Sequence, residues 1–288
     1  MQSLAGKLQS LLRRLRPAVY RYEGFDIPIK LMHLTGGGPE TFDAISKAHI
    51  HNLEKFIGLQ PDFSVLEIGC GIGRDAIPLT QRLSPAGSYL GIDIIGPSID
   101  WCHKNITRRF PNFRFVHFDV KDQLHNPAGT LQMPELHIPL AAGTVDLILL
   151  QSVFTHLLRA DILHYLREFR RLLKPSGRVY ATLFIINEAV LAAARATNLT
   201  VWNLTFEHVI EAGCRVNDRL YPTGAVAYTA EALDQMLREA GLSLTRPLLH
   251  GAWSGYYPDA DDGQDVAILE LAPAGADSSD NRDAHSGA

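Results

Sequence analysis

Cysteine is scarce in this 288-residue chain: Cys70, Cys102 and Cys214 stand far apart, with no Cys-x-x-Cys pair among them. That spacing argues against a disulfide framework or a zinc ribbon, and a reducing, cytoplasmic setting is expected. No stretch approaches the ~18 apolar residues that a membrane span needs, and no secretory hydrophobic segment is seen. Positive charge is not in excess, with 27 Lys and Arg against 31 Asp and Glu and a net charge of −4. Bulk electrostatics therefore offers nothing to a nucleic acid, and basic and aromatic residues are not interleaved as in single-strand binders. No His-x-x-x-His pair or carboxylate cluster suggests a metal. His49 and His51, two apart on an expected helix, face different directions.

What is present is a soluble composition, 46% hydrophobic and 20% charged, enough to bury a substantial core. Its most informative stretch is Val65-Leu66-Glu67-Ile68-Gly69-Cys70-Gly71-Ile72-Gly73-Arg74-Asp75-Ala76. A short apolar run suits a buried strand, and Arg74 onward suits a helix. The alternating glycines between them let a backbone take positive φ and let a ligand approach closely. Two nucleotide classes use such a turn. Gly71-x-Gly73-x-x-Ala76, with Asp93 about 20 residues on, satisfies a dinucleotide fingerprint. Glu67 opposes that reading, because a carboxylate repels the pyrophosphate that a dinucleotide turn must receive, whereas it attracts a sulfonium or an ammonium.

From residue 64 the pattern alternates between strand and helix, which predicts a mostly parallel sheet covered by helices on both faces. Strands are expected at about 64–68, 88–93, 113–118, 145–150, 178–185, 243–249 and 264–271. Helices are expected over about 42–57, 97–107, 161–173 and 229–241. The stretch from Glu23 to Gly38 reads as a loop, and so does 123–144, rich in proline and glycine. Residues 187–228 read as an insertion with helical segments at 189–196 and 204–212. The expected layout is a lead-in over 1–40, a domain over 41–272 and a disordered tail over 273–288.

The glycine turn resembles the E/D-x-G-x-G-x-G motif of class I S-adenosylmethionine-dependent methyltransferases, matched by Glu67, Gly69, Gly71 and Gly73. Further motifs strengthen the likeness over about residues 40–271: Tyr89-Leu90-Gly91-Ile92-Asp93, Phe118-Asp119-Val120, Val145 to Ser152, and Leu172 to Arg178. The resemblance implies a Rossmann-like, seven-stranded sheet ending in an antiparallel hairpin, with S-adenosylmethionine as cofactor. It implies that Glu67, Gly69, Cys70, Gly71 and Gly73 surround the methionine end, together with Gln151 and Ser152. Asp93 would accept from the ribose hydroxyls, Ile94 would pack on adenine, Asp119 would take the adenine amino group and Val120 would cover the base. No Asn-Pro-Pro-Tyr motif follows the fourth strand, where Gln151-Ser152-Val153-Phe154 stands instead, which argues against methylation of base or glutamine amino groups.

On this likeness the expected activity is methyl transfer to a small-molecule or lipid-linked acceptor, with oxygen the expected atom. A non-catalytic cofactor-binding module is the alternative, and a nicotinamide oxidoreductase a more distant one. His156, one turn past the fourth strand, and His33, beside Gly36-Gly37-Gly38, are the base candidates, since imidazole titrates near neutrality. A histidine at this position also serves as a packing residue or helix-cap contact near the cofactor. Trp202, Phe206, His208 and Tyr221 in the insertion would contact the acceptor as a lid, or simply pack it onto the sheet. Finally, Leu4, Leu8, Leu11, Leu12 and Leu15 form a stripe at helical spacing beside Lys7, Arg13, Arg14 and Arg16. Residues 1–16 thus suit peripheral contact with an anionic membrane, an organelle-targeting peptide, or docking of the leucines on the domain.

Overall fold

The computed structural model describes residues 18–200 and 202–273. The basic leucine segment 1–16 and the tail 274–288 lie outside the described residues. Twelve strands are found among the described residues: β1 (Val19–Tyr22), β2 (Phe25–Pro28), β3 (Ser64–Ile68), β4 (Ser88–Asp93), β5 (Phe113–His117), β6 (Val145–Leu150), β7 (Leu173–Leu183), β8 (His208–Glu211), β9 (Cys214–Val216), β10 (Val226–Tyr228), β11 (Leu242–Leu244) and β12 (Asp265–Leu271). Seven of them form one sheet in the order β11-β12-β7-β6-β3-β4-β5. β3, β4 and β5 run parallel, while β12 runs antiparallel to both β7 and β11. This is the expected Rossmann-like order with its late antiparallel hairpin.

The chain divides into two compact units, one running to Leu136 and including Leu149–Val153, the other comprising His137–Ile148 and everything from Phe154 onward. In the first unit, β3 and β4 are buried almost end to end, as parallel strands covered on both faces must be. Tyr89 stacks on Phe113 with ring centroids 5.0 Å apart, tying β4 to β5. Helix Pro39–Phe56 begins on a proline that its φ suits, with Glu40 in the first turn and Lys55 in the last, each complementing the helix dipole. It buries Phe42, Ser46, His49, Ile50 and Leu53 on one face.

The stretch 23–38 is not the expected loop. β1 and β2 form a hairpin turning at Glu23-Gly24, both with positive φ, and lead into helix Ile29–Met32. Alternation in Phe25-Asp-Ile-Pro, with Phe25 and Ile27 buried, is the strand signal, but it is only four residues long. The helix expected from Arg74 is also shorter, reduced to Ala76–Leu79 after a series of turns.

In the second unit, helix Glu188–Thr197 is capped by Asn187, whose Oδ1 accepts from Val190 N at 2.9 Å. Helix Ala230–Ala240 is capped by Thr229 and stopped by Gly241 at φ +70°, as its sequence predicts. The helix expected over 204–212 is instead coil followed by β8, which pairs with β9 across Ala212-Gly213, Gly213 lying at φ +75°. β-branched Val209 and Ile210 favour the strand, and left-handed Gly213 makes the reversal. β10, β9 and β8 form a separate three-stranded sheet. Beneath it, Phe184, Phe206 and Trp253 meet with centroids 5.0 to 5.6 Å apart, the centre of a buried cluster with Ile186, Leu191 and Leu204.

Candidate cofactor site

The glycine turn follows β3 directly, and its geometry is set by contacts within the first unit. Gly69, Gly71 and Gly73 adopt φ of +76°, +52° and +78°, so all three occupy the left-handed region where a side chain is strained. A Cβ on Gly71 would come within 2.6 Å of Thr35 Cγ2, and one on Gly69 within 2.5 Å of Val153 Cγ2. Protein side chains thus fill part of the space that the bare backbone leaves.

Asp93, the last residue of β4, is buried and aims both oxygens at backbone donors. Its Oδ2 accepts from Gly71 N at 2.6 Å and its Oδ1 from Ile95 N at 2.8 Å. Burial pushes its carboxyl up, and these amide donors work against that shift. Each oxygen keeps lone-pair capacity for a further donor such as a ribose hydroxyl. Ile94, next in the chain, is half-buried at the strand end.

Glu67 departs from the expected electrostatics. It is 3% exposed and accepts a hydrogen bond from Tyr89 Oη. Burial, reinforced by the nearby Asp75, holds its carboxyl well above the usual carboxylate range. Burial thus favours the neutral acid at Glu67, which works against the attraction to a sulfonium expected of its charge. Cys70 is buried behind the turn, with Cys102 Sγ 3.7 Å from Gly71 O, and burial pushes both thiols up.

Asp119 is tied into the loop that follows β5. Its Oδ1 accepts from Asn126 Nδ2 at 3.0 Å, and its Oδ2 accepts from Thr130 N at 3.2 Å and from Thr130 Oγ1 at 2.7 Å. These bonds, Asn126's first, hold its carboxyl below the ordinary value. Val120 is buried and bridges to Leu131. The same loop carries His125, whose Nδ1 lies 3.1 Å from Asp122 Oδ1. That bond raises the imidazole, and Asp93 is near enough to add to the effect. His125 was not among the expected site residues, because only the folded loop brings it toward Asp93.

Gln151, just past β6, is 7% exposed, and neither its Nε2 nor its Oε1 has a hydrogen-bond partner. Its neighbour Ser152 sits at φ +58°, unusual for a residue with a side chain. An orphaned buried amide beside a residue at positive φ is rare in a folded core, and it leaves two polar atoms that a bound ligand or water would satisfy. Together with Asp93 and the glycine turn, it fits a nucleoside joined to an amino acid.

The other expected residues are distributed as follows. His33 is exposed at the start of a short turn, His33–Thr35, that leads to the glycine turn's neighbour Thr35. In the second unit, His156 is half-buried, with Nδ1 2.9 Å from Thr223 O. Because a carbonyl only accepts, Nδ1 carries the proton and donates it to Thr223 O, and in the neutral ring Nε2 is the basic nitrogen. Phe206 is fully buried in the aromatic cluster, so it packs the insertion rather than lining an open face. Trp202 and Tyr221 are 71% and 52% exposed, and His208 is half-buried at the start of β8. Among the described residues no group of three or more His, Cys, Asp or Glu could hold a metal ion.

Fold and site define a Rossmann-like nucleoside-binding domain with an antiparallel last strand. A family model described as a methyltransferase domain matches residues 66–179. The arsenite methyltransferase of Aquipseudomonas alcaligenes is 28% identical over 185 residues, 61% of this chain and 51% of that protein. Among solved structures, mitomycin 7-O-methyltransferase aligns with TM-score 0.51 at 16% identity, covering 82% of this chain and 55% of that one. Burkholderia thailandensis 1,6-didemethyltoxoflavin-N1-methyltransferase aligns with TM-score 0.50 at 18% identity, covering 81% and 80%. Over residues 66–179 the chain thus matches a methyltransferase domain, and its fold is the one these methyltransferases share. It spans about half or less of the curated relatives it matches first.

Proposed function

We propose that the protein transfers a methyl group from S-adenosylmethionine to a small-molecule or lipid-linked acceptor, at an oxygen atom. The observation that carries the cofactor half is the partnerless amide of Gln151 in the same unit as Asp93 and the glycine turn. When bound, S-adenosylmethionine brings a methyl carbon made electrophilic by its sulfonium. The protein's own task is then to orient and to move one proton. Asp93 takes the ribose hydroxyls in charge-assisted bonds, and Gln151 takes polar atoms of the methionine end or of the acceptor. Holding the reactants in line contributes several kcal/mol of effective molarity.

His156 is the base in this reading. The bond from its Nδ1 to Thr223 O supports that role, because a carbonyl can only accept, so Nδ1 carries the proton and Nε2 is the basic nitrogen of the neutral ring. The exposed Leu199, Trp202, Leu220 and Tyr221 of the insertion support an apolar acceptor. The acceptor atom is this reading's own step, since the three relatives named above act, by their names, on arsenite, at an oxygen and at a nitrogen.

Titration calorimetry with S-adenosylmethionine, S-adenosylhomocysteine and NADH tests the cofactor. Binding of the first two but not the third is expected, and preference for NADH would overturn the reading. Radiolabelled methyl transfer into a small-molecule and lipid extract then separates an enzyme from a cofactor-binding module, which labels nothing. His156→Gln should abolish transfer while leaving S-adenosylhomocysteine affinity unchanged.

A further inference from the structure

The glycine turn is gripped from outside by residues that precede it by more than 20 positions. His49 Nδ1 lies 2.8 Å from Asp75 Oδ2 and 3.0 Å from Asp75 Oδ1, and both side chains are buried. One turn earlier on the same helix, Ser46 Oγ donates to Arg74 O at 2.8 Å while accepting from Tyr22 Oη at 3.1 Å. Ahead of the helix, Ile72 N donates to Thr35 Oγ1 at 3.3 Å, and Arg74 Nη1 donates to Thr35 O at 3.2 Å. Three residues of the turn, Ile72, Arg74 and Asp75, are thus each held by the segment 35–49.

We propose that His49 and Ser46 are positioning residues of the cofactor site, which set the glycine turn in its ligand-receiving conformation through Asp75 and the Arg74 carbonyl. The proposal rests on the methyltransferase reading. Its physical basis is the short reach of the turn's own bonds. Gly73 N bonds to Cys70 O and Gly71 N to Asp93, whereas the Arg74 carbonyl and the Asp75 carboxylate are met by side chains of the helix. Asp75 without its imidazole would be a buried carboxyl beside the buried Glu67, relieved either by taking up a proton or by the turn moving out toward water, and either change alters the turn that His49 now holds. Movement there displaces Gly71 N from Asp93 and so reaches the ribose acid.

The test compares His49→Leu, His49→Gln and Ser46→Ala with the full-length parent. Tyr20→Phe serves as control, because it removes only the bond from Tyr20 Oη to Asp43, on the same helix but away from the turn. Calorimetry with S-adenosylhomocysteine reads affinity directly. His49→Leu is expected to weaken binding about tenfold or more, with partial recovery in His49→Gln, whose amide can still donate to Asp75. Ser46→Ala should show a smaller loss and Tyr20→Phe none. In steady state the change should fall on KM for S-adenosylmethionine and leave KM for the acceptor unmoved. If His49→Leu does not fold, His49→Gln and Ser46→Ala decide alone. Unchanged affinity in those variants, even with lowered Tm, overturns the proposal, whereas absence of S-adenosylhomocysteine binding by the parent overturns the methyltransferase reading instead.

Discussion

Gln151 carries an amide into the interior with no partner for either polar atom, and at that single residue stability and function pull apart. An unsatisfied buried polar group costs about 1–3 kcal/mol. Gln151→Leu should therefore leave the cofactor-free protein as stable as the parent or more so, by up to about 1 kcal/mol in urea denaturation. The same change should weaken S-adenosylhomocysteine or acceptor binding at least tenfold. A loss of stability without loss of binding would show that Gln151 is a packing residue. Glu67 makes a second residue-scale prediction, with a sign. Its folded carboxyl titrates well above its unfolded value, chiefly because it is buried. Between the two values the folded form holds the proton that the unfolded form has lost. Stability then falls as pH rises above about 4.5, by about 1.4 kcal/mol per unit, until the folded group ionises. Glu67→Gln removes that decline, so the stability gap between variant and parent should widen from pH 4.5 upward in the cofactor-free protein. A constant gap would mean that Glu67 is already ionised. Much of this site was legible beforehand, because glycines at positive φ and acids at strand ends leave local marks in the sequence. Thr35, Ser46, His49 and His125 left none, since each comes against the glycine turn or toward Asp93 only through a fold that closes across tens of residues.

At the scale of elements, the long buried strands were readable and the short hairpins were not. β3, β4 and β6 are mostly apolar and buried over most of their length, as strands of a covered parallel sheet must be. β1, β2, β8 and β9 are three or four residues each, too few for a period to emerge, and β8 leaves Val209, Ile210 and Glu211 exposed. A local pattern that also fits a helix cannot reveal that Gly213 reverses the chain there. The start of β12 illustrates a third kind of element-scale information. Asp265, opposite Leu183 at the end of β7, accepts from Ile185 N at 2.8 Å, Trp253 Nε1 at 2.8 Å and Gly251 N at 2.9 Å. One buried carboxylate therefore joins the exit of β7, the loop before β12 and the aromatic cluster around Trp253. Asp265→Ala leaves all three donors unpaired and should cost about 3 kcal/mol or more in equilibrium denaturation. Asp265→Asn keeps an acceptor but introduces a competing donor, and should cost less. Equal and small losses in both would show that water replaces the carboxylate there.

For the molecule as a whole, charge is distributed more unevenly than the net value of −4 suggests. Lys7, Arg13, Arg14 and Arg16 give residues 1–17 a charge of +4 with no acid, so the remaining residues sum to −8, since −4 less +4 is −8. An acidic body is repelled by an anionic membrane, and a basic leucine-striped segment is attracted to it, at about 1 kcal/mol for each basic residue near the surface. Peripheral membrane contact therefore requires the segment to outweigh the body, which makes the balance steeply dependent on salt. With vesicles containing phosphatidylserine, the full chain should float at low ionic strength and release as salt rises, while neutral vesicles should retain little. The comparison chain should begin at Ala18 rather than within the β1–β2 hairpin, because Tyr22 is buried, meets Phe42 edge-on at 5.4 Å and bonds to Ser46 of the helix that grips the glycine turn. A shortened chain that cut into the hairpin would confound membrane contact with damage to the cofactor site. Starting at Ala18 should abolish flotation while leaving S-adenosylhomocysteine affinity intact, and replacing Arg13, Arg14 and Arg16 by glutamine should weaken flotation by about 3 kcal/mol with the leucines unchanged. Flotation that survives both changes would transfer the membrane role to the exposed Trp202, Leu220 and Tyr221 of the insertion, and flotation absent from the full chain would leave the leucine stripe to dock on the protein itself.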